Sequence, residues 1–255
     1  MLGREARRVA GVVESWIMKR LRGALWGATL LATSALGSTE PAFQVRVDVS
    51  KVPNAAPYVQ PVKALCEEWY PKINAILFGN AYPLPFKEVQ VIFEPKLQKG
   101  VGSESIEAGG FADENTIRVN FPYLAHMSDD YRAMLIHELT HVNQNYKESP
   151  GTGWLLEGIA DYVRHKYFER DIEPKLRELD GYPVDQVKLR KQGYRFGYTF
   201  ASPFLFWLEI RKDKDLLIRL NKALREGSYS PDLFQQYCGA PLDELWREFI
   251  AQSGQ

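Results

Sequence analysis

The hydrophobic pattern along the chain changes period once, near residue 128. Ahead of that point, strands and helices are mixed. Residues 42–49 (AFQVRVDV) alternate apolar and polar, as a half-buried strand does. Residues 61–78 place Val62, Leu65, Cys66, Trp69, Ile73, Ile76 and Leu77 on one helical face, with a kink predicted at Pro71. Two further strand-like runs follow, at 88–94 (EVQVIFE) and 116–121 (TIRVNF). The second comes after Gly109, Gly110 and the turn-forming Asp113-Glu114-Asn115.

Behind residue 128 the signals are helical. Ser128 and Asp129 can cap a helix running to about residue 146, and Thr152 can cap another to about residue 168. A polar connection of about twenty residues leads to an aromatic-rich helical stretch at 194–212, interrupted by Pro203. Asp213 starts a helix ending near Gly227, and Pro231 and Pro241 open two short ones at their first helical positions. The pattern predicts an α+β domain over 38–255. A small mixed sheet with helices forms a lobe at 38–146, a mainly helical lobe follows at 147–255, and the helix over 129–146 joins them.

The first forty residues do not share this pattern. From Met18 the chain reads MKRLRGALWGATLLATSALGS, with cations at Lys19, Arg20 and Arg22, an apolar stretch from Gly23 to Leu36, and small residues at Ala35 and Gly37. That layout predicts a secretory signal cleaved after Gly37, with Met18 as the natural start and 1–17 as an extra segment. The apolar stretch is short of the roughly 20 residues of a membrane-spanning helix, so no lasting membrane anchor is expected.

The 255 residues, 45% of them apolar and 13% aromatic, suffice for a sizeable core. The chain carries 32 basic and 32 acidic side chains. Without the six cations Arg4, Arg7, Arg8, Lys19, Arg20 and Arg22 and the two anions Glu5 and Glu14, 26 positive and 30 negative side chains remain, a net of −4. Such a chain has no electrostatic grip on nucleic acid or an anionic membrane. Two cysteines exclude a disulfide-dense scaffold and a cysteine-built metal site. Cys66 and Cys238 are either an export-compatible disulfide or two buried thiols.

The chemistry is concentrated in His137-Glu138-Leu139-Thr140-His141, an HExxH motif on the helix over 129–146. A spacing of four brings the second imidazole to within about 40° of the first, one turn along the axis, so both can bind one metal ion. Glu138 projects beside that ion, where it can hold and deprotonate a water. With four histidines in the chain, this pattern arises by chance in roughly a few sequences per thousand.

The next helix strengthens the reading. Glu157, sixteen residues after His141, is placed to be a third zinc ligand, and Asp161, one turn later, to accept the second N–H of a ligand histidine. An exposed acidic stripe is disfavoured, because Leu155, Leu156, Ile159, Ala160 and Tyr162 make this helix mostly buried and a buried carboxylate needs a cation. Positions 144 and 147 are Gln and Lys, so the third histidine of a metzincin is missing, and the site falls in the glutamate-ligand class, the gluzincins. His126 and His165 have no partner at ligand spacing and read as surface or capping residues.

Together the segments HELTHVNQ, LLEGIADYVR, Gly193-Tyr194 and GSYSPDLFQQYCGAPLDELWREF resemble the basic secretory protein family, secreted zinc-peptidase-like proteins of plants and bacteria. The similarity extends weakly forward through VQVIFE and GGFADENTIRVN. It implies a zincin-like fold of the gluzincin type, secretion, one zinc ion held by His137, His141 and Glu157, and Glu138 as the catalytic carboxylate. The acidic balance of this chain and the segment 170–192 depart from the family, so substrate range does not carry over.

A developing oxyanion needs a donor besides the metal. Resembling families carry a tyrosine in a Tyr-x-x-Gly setting, here Tyr194-Arg195-Phe196-Gly197, which implies Tyr194, with Tyr198 in reserve. Tyr194 reads equally well as a packed aromatic. Gly109, Gly110, Phe111 and Ala112 suit either an edge strand that receives a peptide substrate or a plain hairpin. The expectation is an exported, zinc-dependent endopeptidase acting on polypeptides. Its rivals are a non-catalytic binding or defence protein of the same fold and an amidase acting on cell-wall cross-links.

Overall fold

The computed structural model describes residues 42–96, 109–126, 131–147, 150–175 and 186–253. The signal-like segment and the Ser128–Asp129 cap lie outside the described residues. By its contacts the chain divides into units Met1–Glu40 and Pro41–Gln255, and only the second is described below.

Chain order in this unit is β1 (Gln44–Asp48), a 3-10 turn (Pro53–Tyr58), α1 (Val59–Phe78), β2 (Glu88–Glu94), β3 (Gly110–Asp113), β4 (Thr116–Asn120) and α2 (Phe121–His126). Then come α3 (Tyr131–Gln144), α4 (Gly153–Val163), a π-helical turn (Arg164–Glu169), α5 (Ile172–Lys175), α6 (Gln186–Gln192) and a 3-10 turn (Gly193–Phe196). The last four helices are α7 (Tyr198–Arg211), α8 (Leu216–Glu226), α9 (Asp232–Cys238) and α10 (Leu242–Ser253). The fold is α+β, a small mixed sheet followed by a mostly helical remainder.

The sheet runs in the order β1-β2-β4-β3, with β1, β2 and β4 parallel and β3 antiparallel to β4 on the edge. The period-2 alternation in β2 turns Val89, Val91 and Phe93 into the core, with Ile117 and Val119 of β4 beside them. Helices α1 and α3 pack on the sheet and on each other. Polar residues remain on the strands' other positions, where Glu94 pairs with Arg118 and Lys51. A wet face is common in antiparallel sheets and unusual where, as here, three of the four strands run parallel.

Helix α3 is almost wholly buried, from Ala133 to Thr140 and again at Val142, Asn143 and Gln144. Its C-terminal carbonyls would cost free energy in that setting unless satisfied. Arg225 of α8 hydrogen-bonds the carbonyls of Asn143 and Gln144 while its guanidinium lies over the Phe78 ring, 3.7 Å from the centroid. A cation at a helix C-terminus also suits the helix dipole.

In the helical remainder α4 packs closely on α7. A Cβ on Gly158 would sit 2.5 Å from the Cβ of Ala201, so glycine at this crossing sets the helix separation. Trp246 of α10 is fully buried against Tyr194, Phe204 and Phe249, and its indole N–H donates to the Leu189 carbonyl at 2.7 Å.

Several expectations need correction. Helix α7 is not interrupted at Pro203 but runs through it. The lost N–H and ring clash of an interior proline cost about 3 kcal/mol, which burial of α7's aromatic face, Phe200, Phe204 and Trp207, outweighs. The real break is Gly197, whose φ of 70° no helix accommodates. The helix after Thr152 is α-helical only to Val163 and then widens into the π turn, ended by Arg170 at φ 60°. The twenty-residue connection contains α5 and α6, although 176–185 lie outside the described residues. Asp213 does not begin α8. Its carboxylate accepts the Asp215 N–H, and the helix starts at Leu216. Cys66 and Cys238 are not bonded to one another. Burial pushes the Cys66 thiol up to about 12 and the Cys238 thiol up to about 11, which suits two inert thiols.

Candidate active site

Helices α3 and α4 bring three side chains to one point. The Nε2 atoms of His137 and His141 lie 3.1 Å apart, and a Glu157 carboxylate oxygen lies 3.1 Å from the first and 3.4 Å from the second. Each imidazole is held from behind. His137 donates through Nδ1 to Asp161 Oδ1 at 2.8 Å, and His141 donates through Nδ1 to Gln144 Oε1 at 2.7 Å. Gln144 is fixed in turn, since its amide N–H donates to the Leu156 carbonyl at 2.9 Å. With both Nδ1 atoms used as donors, two Nε2 lone pairs and a carboxylate oxygen converge, an arrangement that repels itself unless a cation sits among them.

The donor set and spacing fit zinc. Ligands at about 2.0–2.1 Å in a tetrahedron lie roughly 3.3 Å from one another, and the three separations bracket that value. The protonation energetics agree that the site favours positive charge. Burial alone would lower the His137 pKa, but the hydrogen bonds to Asp161 and Glu157 push it up to about 10. Burial would raise Glu157, yet the two imidazoles hold it well below the usual carboxylate range.

Glu138 lies beside this cluster and is buried. Burial raises its pKa, opposed by the two histidines and by a hydrogen bond from the Ala112 N–H of β3. A carboxyl moved towards neutrality is suited to taking and returning a proton near pH 7. Its contact with β3 shows how close the edge strand comes: a Cβ on Gly110 would sit 3.5 Å from Glu138 Cγ. The same Cβ would meet Met134 Sδ at 2.9 Å, and one on Gly109 would meet the Tyr123 ring at 2.7 Å. Both glycines are therefore required by packing within the protein. Phe111, between Gly110 and Ala112, pairs in register with Arg118 of β4 and is half-buried.

Tyr194 is not part of this cluster. It is 1% exposed, its ring packs against Trp154, Phe204 and Trp246, and its hydroxyl donates to Asp243 of α10. Aromatic neighbours hold this phenol in the core, with its hydroxyl committed to Asp243. Tyr198 lies beside the cluster instead. Its ring stacks on His137, 6.1 Å between centroids and 12° from parallel, and its hydroxyl hydrogen-bonds Glu157. Burial and the negative charges of Glu157, Asp161 and Glu138 raise its pKa, so the phenol keeps its proton. Tyr198 also has φ 39°, a strained value for a bulky residue, directly after Gly197.

His165 is a further correction, because it is neither at the surface nor a cap. It is 7% exposed, with Nδ1 at 2.8 Å from Asp171 and 3.0 Å from Glu169. The side chain of His126 lies outside the described residues. Two participants escaped the sequence reading. Gln144 stands three residues after His141, within helical reach, but in the sequence its position marks only the lack of a third histidine. The Ala112 N–H is a backbone group and leaves no residue-type signal.

A family model described as BSP, peptidase of plants and bacteria, matches residues 72–249, more than half of the chain and all of the residues of the His137–His141–Glu157 cluster. No curated protein and no solved structure matches the chain.

Proposed function

The chain belongs to the BSP family of peptidases of plants and bacteria, and from that premise we propose a zinc-dependent endopeptidase of the gluzincin type, zincin-like in fold and exported. One observation carries the reading: two imidazole Nε2 atoms and a Glu157 oxygen converge within 3.4 Å, beside the buried carboxyl of Glu138. His137, His141 and Glu157 would hold the ion, with Asp161 and Gln144 fixing the two rings. Zinc, when bound, supplies a Lewis acid that lowers the pKa of water and polarises a carbonyl oxygen.

The chain's own groups perform the rest. Glu138 takes the proton of the attacking water and hands it to the leaving amine, for which its raised pKa suits it. Tyr198, protonated and next to the cluster, donates to the oxyanion as negative charge develops on the substrate carbonyl. Edge strand β3 supports a role in holding the peptide. The Asn120 N–H to Gly109 carbonyl bond sets the alternation, so Gly110 and Ala112 face the open edge. With the Ala112 N–H spent on Glu138, an added peptide strand would pair with Gly110 and the Ala112 carbonyl, alongside Phe111.

Metal analysis together with cleavage of a denatured protein tests the reading. Glu138→Gln is expected to retain one zinc per chain while hydrolysis falls about 100- to 10,000-fold. Equal activity would remove Glu138 from its role, and zinc without turnover in the unsubstituted protein would leave a binding protein. Taken from the exported fraction, that protein is expected to begin near Ser38, and an intact 18–37 segment would refute export through a cleaved signal.

A further inference from the structure

A second concave feature lies beside the turn that precedes Tyr198. Helix α6, the turn at Gly193–Phe196 and α10 enclose a cleft of about 540 Å³. Lys188, Lys191, Arg195 and Arg247 line it, and the one carboxylate among the lining residues is Asp243. That carboxylate is already engaged, accepting hydrogen bonds from the Tyr194 hydroxyl and from the Gln192 amide at 2.7 Å. The lining thus holds three more positive than negative side chains in a chain whose formal net charge is zero. Lys188 and Lys191 are three apart on α6 and so share a face. Phe196, 41% exposed, adds an aromatic surface, and the aliphatic stems of the cations add apolar walls beneath charged tips.

The cleft adjoins the metal cluster through a short piece of chain. Phe196 lines it and Tyr198 stacks on His137, with Gly197 alone between them. Two residues span at most about 7 Å. The site of a Cβ on Gly197 lies 3.7 Å from Glu157 Cβ and 3.8 Å from Trp154 Cα, so the chain leaving the cleft at Phe196 packs directly on the helix that carries Glu157. A peptide occupying the cluster, rising about 3.3 Å per residue when extended, reaches the cleft within a few residues.

We propose that this cleft is a substrate subsite that binds carboxylate side chains of a polypeptide a few residues from the bond being cut, which makes acidic segments the preferred substrates. The proposal rests on the peptidase reading for its purpose, but its binding can be measured without turnover. Clustered cations over low-dielectric walls raise the local potential, and an anionic segment answers it where a neutral one gains nothing.

The test is fluorescence anisotropy on the Glu138→Gln protein with two labelled peptides of equal length, one rich in Glu and one with Gln in the same positions. The Glu peptide is expected to bind about tenfold more tightly at low salt, with the preference shrinking as salt screens it. Lys191→Glu with Arg247→Glu should abolish the preference, and Lys191→Ala with Arg247→Ala should weaken it should the reversed pair fail to fold. Equal affinity for the two peptides, or a preference that survives both variants, overturns the proposal. Free glutamate or inorganic phosphate displacing the Glu peptide at millimolar concentration would also overturn it, by making the cleft a small-anion site. A binding preference in a protein that hydrolyses no peptide would leave the subsite standing and sink the catalytic reading alone.

Discussion

Tyr194 and Tyr198 are four residues apart and share an aromatic neighbourhood in sequence, yet their hydroxyls have different partners. Tyr194 donates to Asp243 inside the helical lobe, whereas Tyr198 bonds Glu157 and stacks on His137. Their substitutions should separate accordingly. Tyr198→Phe is expected to lower kcat about 100-fold with KM little changed, the signature of a donor that acts on developing charge. Tyr194→Phe should leave kcat unchanged and cost about 1–2 kcal/mol of stability in a denaturant titration, because it strands the Asp243 carboxylate's partner site. Loss of kcat in the second variant and not in the first would reverse the assignment. The residue types at 194 and 198 are identical, so sequence could not separate them. What separates them is Gly197, whose positive φ turns the chain between the two rings.

At the scale of elements, the π turn at Arg164–Glu169 is the least regular part of the helix that carries Glu157 and Asp161. Its wide turn puts His165 against Glu169 and Asp171, and the Asp171 N–H closes back on the His165 carbonyl. Burial opposes charge on His165, but Glu169, Asp161 and Asp171 outweigh it and hold its pKa above 6.5. Burial also works against Glu169, and His165 with Arg164 brings it down to about 2. A raised histidine contributes its full stability below about pH 6.5 and loses it as pH rises through the folded value. A lowered carboxylate contributes above its ordinary 4.5 and loses it as pH falls towards 2. The turn should therefore be firmest between about pH 4.5 and 6.5. Between pH 6.5 and 9 the Tm of the unsubstituted protein is expected to fall by a few degrees more than that of His165→Gln. Parallel Tm curves for the two proteins would show that His165 carries no charge in the fold.

For the whole molecule, the cluster ties α3, which is packed on the sheet, to α4, which is packed on α7. A metal bound only by the native state stabilises it by about 2.7 kcal/mol at a hundredfold excess over Kd. Chelation is accordingly expected to lower Tm by roughly 5–10 °C, and Glu157→Ala to bind zinc poorly and to show no such drop. A chelator-insensitive Tm in the unsubstituted protein would argue that no metal links α3 to α4. The strands at 88–94 and 116–120, the faces of α1 and α4, and the spacing of His137, Glu138 and His141 were all legible in the chain. Period and spacing are local properties, and a helix or strand expresses them wherever it packs. Only the tertiary structure decided which face of the lobe core would take Tyr194, that Gln144 would brace His141, and that the Ala112 N–H would reach Glu138. It likewise gathered Lys191, Arg195 and Arg247 around one cleft. Those outcomes depend on distances between segments far apart in sequence, which burial and close packing set and no local pattern encodes.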